Sequence, residues 1–261
     1  MISRPGGSVK RGLARRAGRR SIAALIYVVR YVLVAIYTVV WGVPACLVGL
    51  VDRSGEAVLW IGRQWIRWIF ATCGITVEAE GLENVDARRA HVFMSNHQSV
   101  LDIGAIVATL PVSWRFVAKR ELTWIPLFGW ALRLGGHVII DRGRRERAVA
   151  SLQRAARRIR AGTSVIIFPE GTRSETGVMR PFKSGGFHLA IEAQAPILPI
   201  TVSGSHRLTP KRSLRVESGH MKVVYGKPIE TRGLPLEERE ALKERVRAAI
   251  EAGYDRALQS G

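Results

Sequence analysis

The sequence predicts an α/β fold, with a mostly parallel central sheet flanked by helices and an apolar helical segment ahead of it. From residue 76 onward, short β-rich runs alternate with helical patterns, as they do in layered α/β domains. Before residue 76, two apolar stretches are long enough to form helices. Polar segments also come directly after β-rich runs, where α/β sheets bind ligands.

The chain divides into three predicted regions: a basic arm over residues 1–20, two apolar or amphipathic helices over 21–75, and an α/β domain over 76–261. Lys and Arg number 40 against 21 Asp and Glu, and the arm holds seven basic residues and no acidic ones. The net charge of +19 favours an anionic partner, either nucleic acid or a membrane surface. Cys46 and Cys73 lie in apolar stretches, which argues against a disulfide framework.

The first apolar stretch covers residues 22–51 and is interrupted only by Arg30. The 21 uncharged residues from Tyr31 to Val51 would form a helix about 31 Å long, enough to cross a bilayer. Gly42 and Pro44 offer the alternative of a kinked, re-entrant helix. A cleaved signal peptide is a further alternative, but its apolar region is usually about 7–15 residues long.

The second apolar stretch covers residues 57–73 and predicts an amphipathic helix in the headgroup region, because three tryptophans accompany its basic residues. An ordinary core helix with solvated arginines is the alternative. One predicted face carries Val58, Ile61, Trp65, Trp68 and Ile69, and the other carries Arg63, Gln64 and Arg67. No zinc-finger, helix-turn-helix or RNA-binding motif accompanies the positive charge, so we expect a phospholipid membrane surface and no nucleic acid.

The basic arm also predicts an orientation. By the positive-inside rule the arm stays in the cytoplasm, and a single crossing would put residues 76–261 on the opposite side. A re-entrant segment or a two-pass hairpin keeps both on one side. We therefore expect the inner membrane, with the α/β domain facing the cytoplasm.

The elements of the α/β domain follow from hydrophobic period and turn residues. Strands are predicted at 91–95, 115–118, 136–141, 164–168 and 197–202, followed by a hairpin of strands 214–218 and 221–225. Helices are predicted at 100–110, 125–134, 146–161 and 187–193, with a charged outer helix beginning near Pro235. The 146–161 helix turns Val149, Leu152, Ala156 and Ile159 inward and stops at Gly162.

The segment 96–102 predicts a general base with its orienting acid. Neutral His97 can take a proton near pH 7, and Asp102 can hold its other ring nitrogen. Residues five apart on one helix are about 140° apart, so the pair meets only if His97 lies in a turn before the helix. Asn96 and Ser99 are natural turn and cap residues. Taken alone, this spacing is more typical of a surface histidine.

The segment 168–174 follows a predicted strand and resembles an anion clamp. Gly171 allows close backbone approach, Arg173 can grip a phosphate with two contacts, and Glu170 can accept a hydrogen bond from a substrate hydroxyl. Lys119 and Arg142 each follow a strand and can add basic groups to the same pocket. An exposed turn with an internal Glu170–Arg173 ion pair is the alternative. The six histidines show no metal-ligand spacing.

These segments together resemble the glycerolipid acyltransferase family, in particular its 1-acyl-glycerol-3-phosphate acyltransferases. The first family motif is matched at Asn96, His97 and Asp102; the second at Lys119, Glu121, Leu122, Pro126 and Gly129. The Gly-x-x-x-Ile-Asp-Arg element is matched at Gly136, Ile140, Asp141 and Arg142. The motif Phe-Pro-Glu-Gly-Thr-Arg-Ser is complete at 168–174, and a proline-flanked motif is met at 196–199.

The resemblance implies transfer of a fatty acyl group from acyl carrier protein or acyl-CoA to the free hydroxyl of lysophosphatidate, giving phosphatidate. It implies no metal and no cofactor beyond the acyl donor, because the thioester is already activated. In this interpretation His97 is the base, Asp102 orients it, and Glu170 positions the glycerol. Arg173, Lys119 and Arg142 bind the phosphate, and Asn96, Gly171 and Thr172 complete the substrate site.

Two other functions remain open from the sequence. One is acyl transfer to another lysolipid or to an amine-bearing lipid, which needs His97 and Asp102 but no phosphate clamp. The other is a non-catalytic membrane-binding protein. Membrane attachment needs neither the His97–Asp102 pair nor Glu170 and Arg173, and their presence argues against the non-catalytic alternative.

Overall fold

The structure is a computed structural model that describes residues 7–140, 145–213 and 215–259. Side chains are described from residue 24 onward, apart from 145–149 and 259 within helices. Arg142 therefore lies outside the described residues, as do residues 1–6.

Two long helices form the N-terminal region: α1 (Gly7–Val51) and α2 (Glu56–Cys73). The turn between them is closed by Asp52, whose carboxylate accepts hydrogen bonds from the backbone N–H groups of Ser54 and Ala57, each at 2.9 Å. The two helices pack together through aromatic contacts, with Trp41 and Trp68 edge to face at 5.3 Å. The basic arm and the first apolar stretch are thus continuous in one helix from Gly7, and the three-region division stays a prediction.

Helix α2 belongs partly to the core of the domain. Ile66 and Phe70 are buried, whereas Trp60 and Trp68 are exposed. The alternative of a core helix with solvated arginines does not hold for Arg63, because its guanidinium donates to the backbone carbonyls of Leu110 and Val112 at 2.9 and 2.7 Å. Leu110 caps the C-terminus of a helix, where the last carbonyls lack partners within the helix.

The described residues form one seven-stranded sheet. Its strands are β1 (Ile75–Glu80), β2 (Val92–Ser95), β3 (Arg115–Lys119), β4 (Val138–Ile140), β5 (Val165–Ile167), β6 (Ile197–Ser203) and β7 (Gly219–Tyr225). The order is β1-β7-β6-β2-β5-β3-β4, and only the β6–β7 pair is antiparallel. The predicted α/β fold with a mostly parallel sheet is confirmed.

Helices cover both faces of this sheet. They are α3 (Leu101–Thr109), α4 (Phe128–Leu134), α5 (Arg145–Arg160), α6 (Gly185–Ala193), α7 (Ser205–Leu208), α8 (Arg239–Ala252) and α9 (Arg256–Gln259). Successive side chains of β2 point to opposite faces of the sheet, and each face has its own hydrophobic core. Val92 and Met94 pack with α5, α6 and α8, and Phe93 packs with α2 and α3. The predicted inward positions Leu152, Ala156 and Ile159 of α5 join the first core. The side chain of Val149 is outside the described residues.

The predicted hairpin over 214–225 is wrong. Residues 215–218 form no strand, and Gly219 begins β7 beside Ile75 of β1. The backbone groups of 216–217 have other partners, because the Val216 carbonyl accepts from Arg30 of α1 and the Glu217 N–H donates to the Leu208 carbonyl at 2.9 Å. Strand β1 was not predicted, although its alternating burial fits a half-buried edge strand.

The parallel strands β2, β3 and β5 end at the same edge of the sheet. Since polar segments follow each of them, the fold brings His97, Lys119 and the 168–174 loop to one place. This edge carries the candidate site.

Candidate active site

The predicted His97–Asp102 pair is formed. His97 lies in the turn after β2, and its Nδ1 is 3.0 Å from Asp102 Oδ2 at the start of α3. A carboxylate only accepts hydrogen bonds, so Nδ1 carries the proton and Nε2 keeps a lone pair. His97 also stacks on Phe168, with ring centroids 4.1 Å apart. The hydrogen bond to Asp102 and the stacking on Phe168 therefore fix the orientation of the imidazole.

Asp102 is fully buried and ties the turn to the helix. Its Oδ2 also accepts from the backbone N–H groups of Gln98 and Ser99, at 2.6 and 2.8 Å. The first turn of a helix favours a carboxylate, because unpaired backbone N–H groups point toward it. Oδ2 of Asp102 therefore fixes both the turn that carries His97 and the imidazole ring of His97.

Glu170 is buried and has a different set of partners from the one expected. Its Oε1 accepts from the backbone N–H of His97 at 2.6 Å and its Oε2 from that of Arg180 at 2.8 Å. Burial raises the pKa of this carboxyl, and the two backbone hydrogen bonds oppose that rise. Glu170 therefore links the His97 turn to the 168–180 loop. The predicted contact with a substrate hydroxyl stays a prediction.

Asn96 holds two strands together and is fully buried. Its side-chain amide donates to the Val202 carbonyl at 2.9 Å and accepts from the Val202 N–H at 2.8 Å. Both polar ends of the amide are thus used on β6. These two bonds fix the residue that precedes His97 to β6. The expected role of Asn96 as a substrate-binding residue stays a prediction.

A half-buried Arg173 lines the mouth of the cavity together with His97, Lys119, Gly171 and Thr172. Within the described residues no ion pair joins Arg173 to Glu170, so the alternative of an internal ion pair is not supported. The Arg173 backbone carbonyl accepts from Lys211 Nζ at 3.1 Å, which holds this loop in place. Arg142 cannot be placed, as it lies outside the described residues.

Gly171 adopts a φ of +72°, which side chains rarely allow. A Cβ at this position would lie 3.2 Å from Nζ of Lys183. Lys183 was not predicted at the site, but its ammonium lies beside the 168–174 loop, as that of Lys211 does. Its place in a loop before α6 gave no signal of this proximity.

An apolar cavity of about 430 Å³ opens beside His97 and runs between the domain and the N-terminal helices. Its walls include Trp41 and Ala45 of α1, Ile61 and Trp65 of α2, and Leu127 before α4. Such a volume is typical of a small-molecule site. The cavity links the polar pair to a wall made by the predicted membrane helices.

Aromatic rings and a buried histidine also line the cavity. The His137 ring stacks on Phe116, and its Nδ1 accepts from the Phe116 N–H at 2.8 Å. Burial, with Arg115 and Arg158 nearby, lowers the pKa of His137 to about 3. His137 is therefore neutral, with a proton on Nε2. Arg115 is itself buried and pairs with Glu56 at 2.9 Å.

Comparisons with known proteins agree with this geometry. The acyltransferase family profile matches residues 76–203. The chain is 35% identical over 216 residues to human 1-acyl-sn-glycerol-3-phosphate acyltransferase alpha, covering 82% of this chain and 75% of the relative. It is 37% identical over 180 residues to the 1-acyl-sn-glycerol-3-phosphate acyltransferase of Cocos nucifera, covering 69% of this chain and 57% of the relative.

The fold is also similar to a solved structure. The crystal structure of the 1-acyl-sn-glycerophosphate acyltransferase PlsC from Thermotoga maritima superposes with a TM-score of 0.78 at 28% identity. The match covers 90% of this chain and 95% of that chain, so it includes most of the N-terminal helices as well as the sheet.

Proposed function

The chain belongs to the acyltransferase family that includes these 1-acyl-sn-glycerol-3-phosphate acyltransferases, and we propose that it acylates the free hydroxyl of 1-acyl-glycerol-3-phosphate to give phosphatidate. The acyl donor is a thioester, either acyl carrier protein or acyl-CoA. The observation that carries the proposal is the His97–Asp102 pair at 3.0 Å, at the mouth of an apolar cavity that also has Lys119 and Arg173.

In the proposed reaction the acceptor hydroxyl attacks the thioester carbonyl while His97 Nε2 takes the hydroxyl proton. The new C–O bond gives a tetrahedral intermediate, which collapses by breaking the C–S bond. The departing thiolate then receives the proton from His97. Asp102 stabilises the imidazolium during the reaction through its hydrogen bond to Nδ1.

The surrounding side chains suit both the phosphate group and the fatty acyl chain of the substrates. Arg173 and Lys119 supply positive charge where the phosphate would lie, and a guanidinium can contact two phosphate oxygens at once. The apolar cavity suits a fatty acyl chain. Glu170 supports the reaction indirectly, because it fixes the backbone of His97.

Helix α1 supports attachment to one face of a membrane. The segment Ala24–Val51 is long and apolar enough to cross a bilayer, with 11% of its apolar window buried. Yet Arg30 contacts the Val216 carbonyl, and Gly49 lies against Leu134 near the other end. These contacts are 19 residues apart, about 28 Å along the helix. A helix that touches the domain at both points lies along it, which favours a re-entrant position in one leaflet.

We further propose an inner-membrane location with the catalytic domain facing the cytoplasm, where soluble acyl donors are found. Protease added to sealed, right-side-out spheroplasts should then leave the domain intact. Cleavage of the domain from outside would contradict this orientation.

The function is tested by supplying the purified full chain with a panel of lysolipids and with each of the two acyl donors. Lysophosphatidate should be acylated far faster than lysolipids that lack a phosphate monoester. Equal use of a lysolipid or an amine-bearing lipid without that group would support the alternative acceptors, and no turnover with any donor would support the non-catalytic alternative.

A further inference from the structure

Large apolar side chains are exposed in the catalytic domain as well as on the N-terminal helices. Trp124, Ile125 and Trp130 are 67%, 47% and 54% exposed. They lie close together in the segment 120–134, which consists of a 3₁₀ helix (Arg120–Trp124) and α4. Exposed apolar clusters of this kind mark interaction surfaces.

This segment is packed directly on α1. A Cβ at Gly42 would lie 3.2 Å from Leu127, and one at Gly49 would lie 2.7 Å from Leu134. Cys46 Sγ also donates to the Leu127 carbonyl at 3.6 Å. Because α1 exposes most of its apolar surface, the exposed tryptophans extend the surface that α1 presents to a bilayer.

A basic cleft of about 420 Å³ lies on the other side of the same segment. Arg120, Arg133 and Arg154 line it. The Arg133 guanidinium donates to the Thr123 hydroxyl at 2.9 Å, and that of Arg154 donates to the Ser151 hydroxyl at 3.0 Å. Guanidinium and hydroxyl groups together are typical of sites that bind phosphate oxygens.

The exposed apolar side chains and the basic cleft lie on neighbouring faces of α4. Successive residues of an α-helix turn by about 100°, so Trp130 lies between the face of Leu127 and Leu134, which contacts α1, and the face of Arg133. Passing around the helix from α1, the surface is apolar, then aromatic, then basic. A membrane interface has the same order, from acyl chains through the aromatic belt to the headgroups.

We propose that segment 120–134 is a second membrane-contact element, in which Trp124, Ile125 and Trp130 enter the boundary between acyl chains and headgroups. The cleft of Arg120, Arg133 and Arg154 binds the phosphate of an anionic phospholipid. The proposal rests on the membrane attachment proposed above for α1, but it does not depend on which lysolipid is acylated. Because Lys119 lines the catalytic cavity and Arg120 the cleft, the lipid contact holds that wall of the cavity at the membrane surface.

The aromatic part is tested with vesicles whose acyl chains are brominated, since bromine quenches tryptophan fluorescence only at short range. The emission of the double variant Trp124→Phe and Trp130→Phe is subtracted from that of the unchanged protein. The difference is the emission of Trp124 and Trp130. This difference emission should be quenched by the brominated lipid. Buried Trp114, isolated by Trp114→Phe, is the control and should be quenched less. An unquenched difference emission would overturn the proposal.

The basic part is tested by vesicle partition. Each arginine near an anionic surface strengthens partition about fivefold. The full chain with Arg120→Gln, Arg133→Gln and Arg154→Gln should therefore lose about 100-fold of its preference for phosphatidylglycerol over phosphatidylcholine vesicles. The matched control changes the same number of charges at exposed arginines elsewhere: Arg88→Gln, Arg232→Gln and Arg245→Gln.

Two results would overturn the headgroup site. Equal losses in the triple variant and its control would mean that only net charge matters. Unchanged partition with a raised KM for the soluble acyl donor would mean that the cleft binds the donor or its carrier protein instead. The quenching and partition measurements do not require lysophosphatidate, so failure of the membrane contact is distinguishable from failure of the proposed reaction.

Discussion

One hydrogen bond decides which nitrogen of His97 can act. Asp102 accepts from Nδ1 and from two backbone N–H groups, so the proton stays on that side of the ring. The spacing alone is more typical of a surface histidine, and the pair became predictable only together with the 168–174 segment and the family resemblance. The partners of Asn96 and Glu170 could not be predicted, because they are backbone groups of Val202 and Arg180 that only the folded chain brings near.

Arg173 provides a prediction about the acceptor. Arg173→Ala should lower kcat/KM for lysophosphatidate by about 10- to 100-fold, the worth of hydrogen bonds to a charged group, with little change in KM for the acyl donor. Arg173→Lys should restore only part of this loss, because an ammonium cannot make the planar two-point contact. Steady-state kinetics with each substrate varied in turn provides the measurement. Equal losses for donor and acceptor would indicate a structural arginine.

Glu170 provides a prediction that separates support from substrate contact. In Glu170→Gln one acceptor oxygen becomes an NH₂ group that faces a backbone N–H. The free energy of unfolding should therefore fall by about 1–3 kcal/mol, and kcat should fall with it. Chemical denaturation and kinetics of the same preparation measure both. Unchanged stability with a raised acceptor KM would instead support direct contact with the glycerol.

At the scale of elements, the packing of α1 on the domain is close enough to require glycine. Strongly periodic elements such as α5 and the buried strands were predictable from hydrophobic pattern. The pairing of residues 214–225 was not predictable, because two neighbouring β-like runs have the same sequence pattern whether they pair with each other or with distant strands. Gly219 pairs with β1, more than 140 residues earlier in the chain, and this long-range partner decides the register.

The contact between α1 and α4 predicts opposite effects for two glycines. A Cβ at Gly49 would lie 2.7 Å from Leu134 Cβ, so Gly49→Ala should destabilise the protein by about 1–3 kcal/mol. Gly62 of α2 has nothing within 4 Å of its Cβ position, so Gly62→Ala should be neutral or stabilise by up to about 1 kcal/mol. Thermal unfolding in detergent measures both. The same shift for both variants would contradict the close contact.

At the scale of the whole molecule, the buried His137 that lines the cavity makes stability depend on pH. The pKa of His137 falls from about 6.5 in an unfolded chain to about 3 in the folded one. Between these values the unfolded state binds a proton that the folded state does not, so stability falls as pH is lowered through this range. One such group contributes a slope of up to about 1.4 kcal/mol per pH unit.

This slope can be measured by urea unfolding between pH 4 and pH 7. The range lies between the folded value of about 3 and the unfolded value of about 6.5. His137→Asn keeps an acceptor for the Phe116 N–H but no ionisable ring, so its stability should depend less on pH. His188→Asn is the matched control, because it makes the same substitution at a partly exposed histidine. The same pH dependence in all three proteins would show that His137 is not the group responsible.

The central claim is that His97, oriented by Asp102, is the base in acyl transfer to lysophosphatidate. Its most direct test is to measure free thiol and phosphatidate together from the purified full chain, supplied with lysophosphatidate and an acyl thioester. The unchanged protein should release one thiol per phosphatidate. His97→Ala should unfold at a similar temperature but turn over roughly 10²–10⁴-fold more slowly, and Asp102→Asn should be similarly slow. Turnover like that of the unchanged protein in folded His97→Ala would contradict the claim.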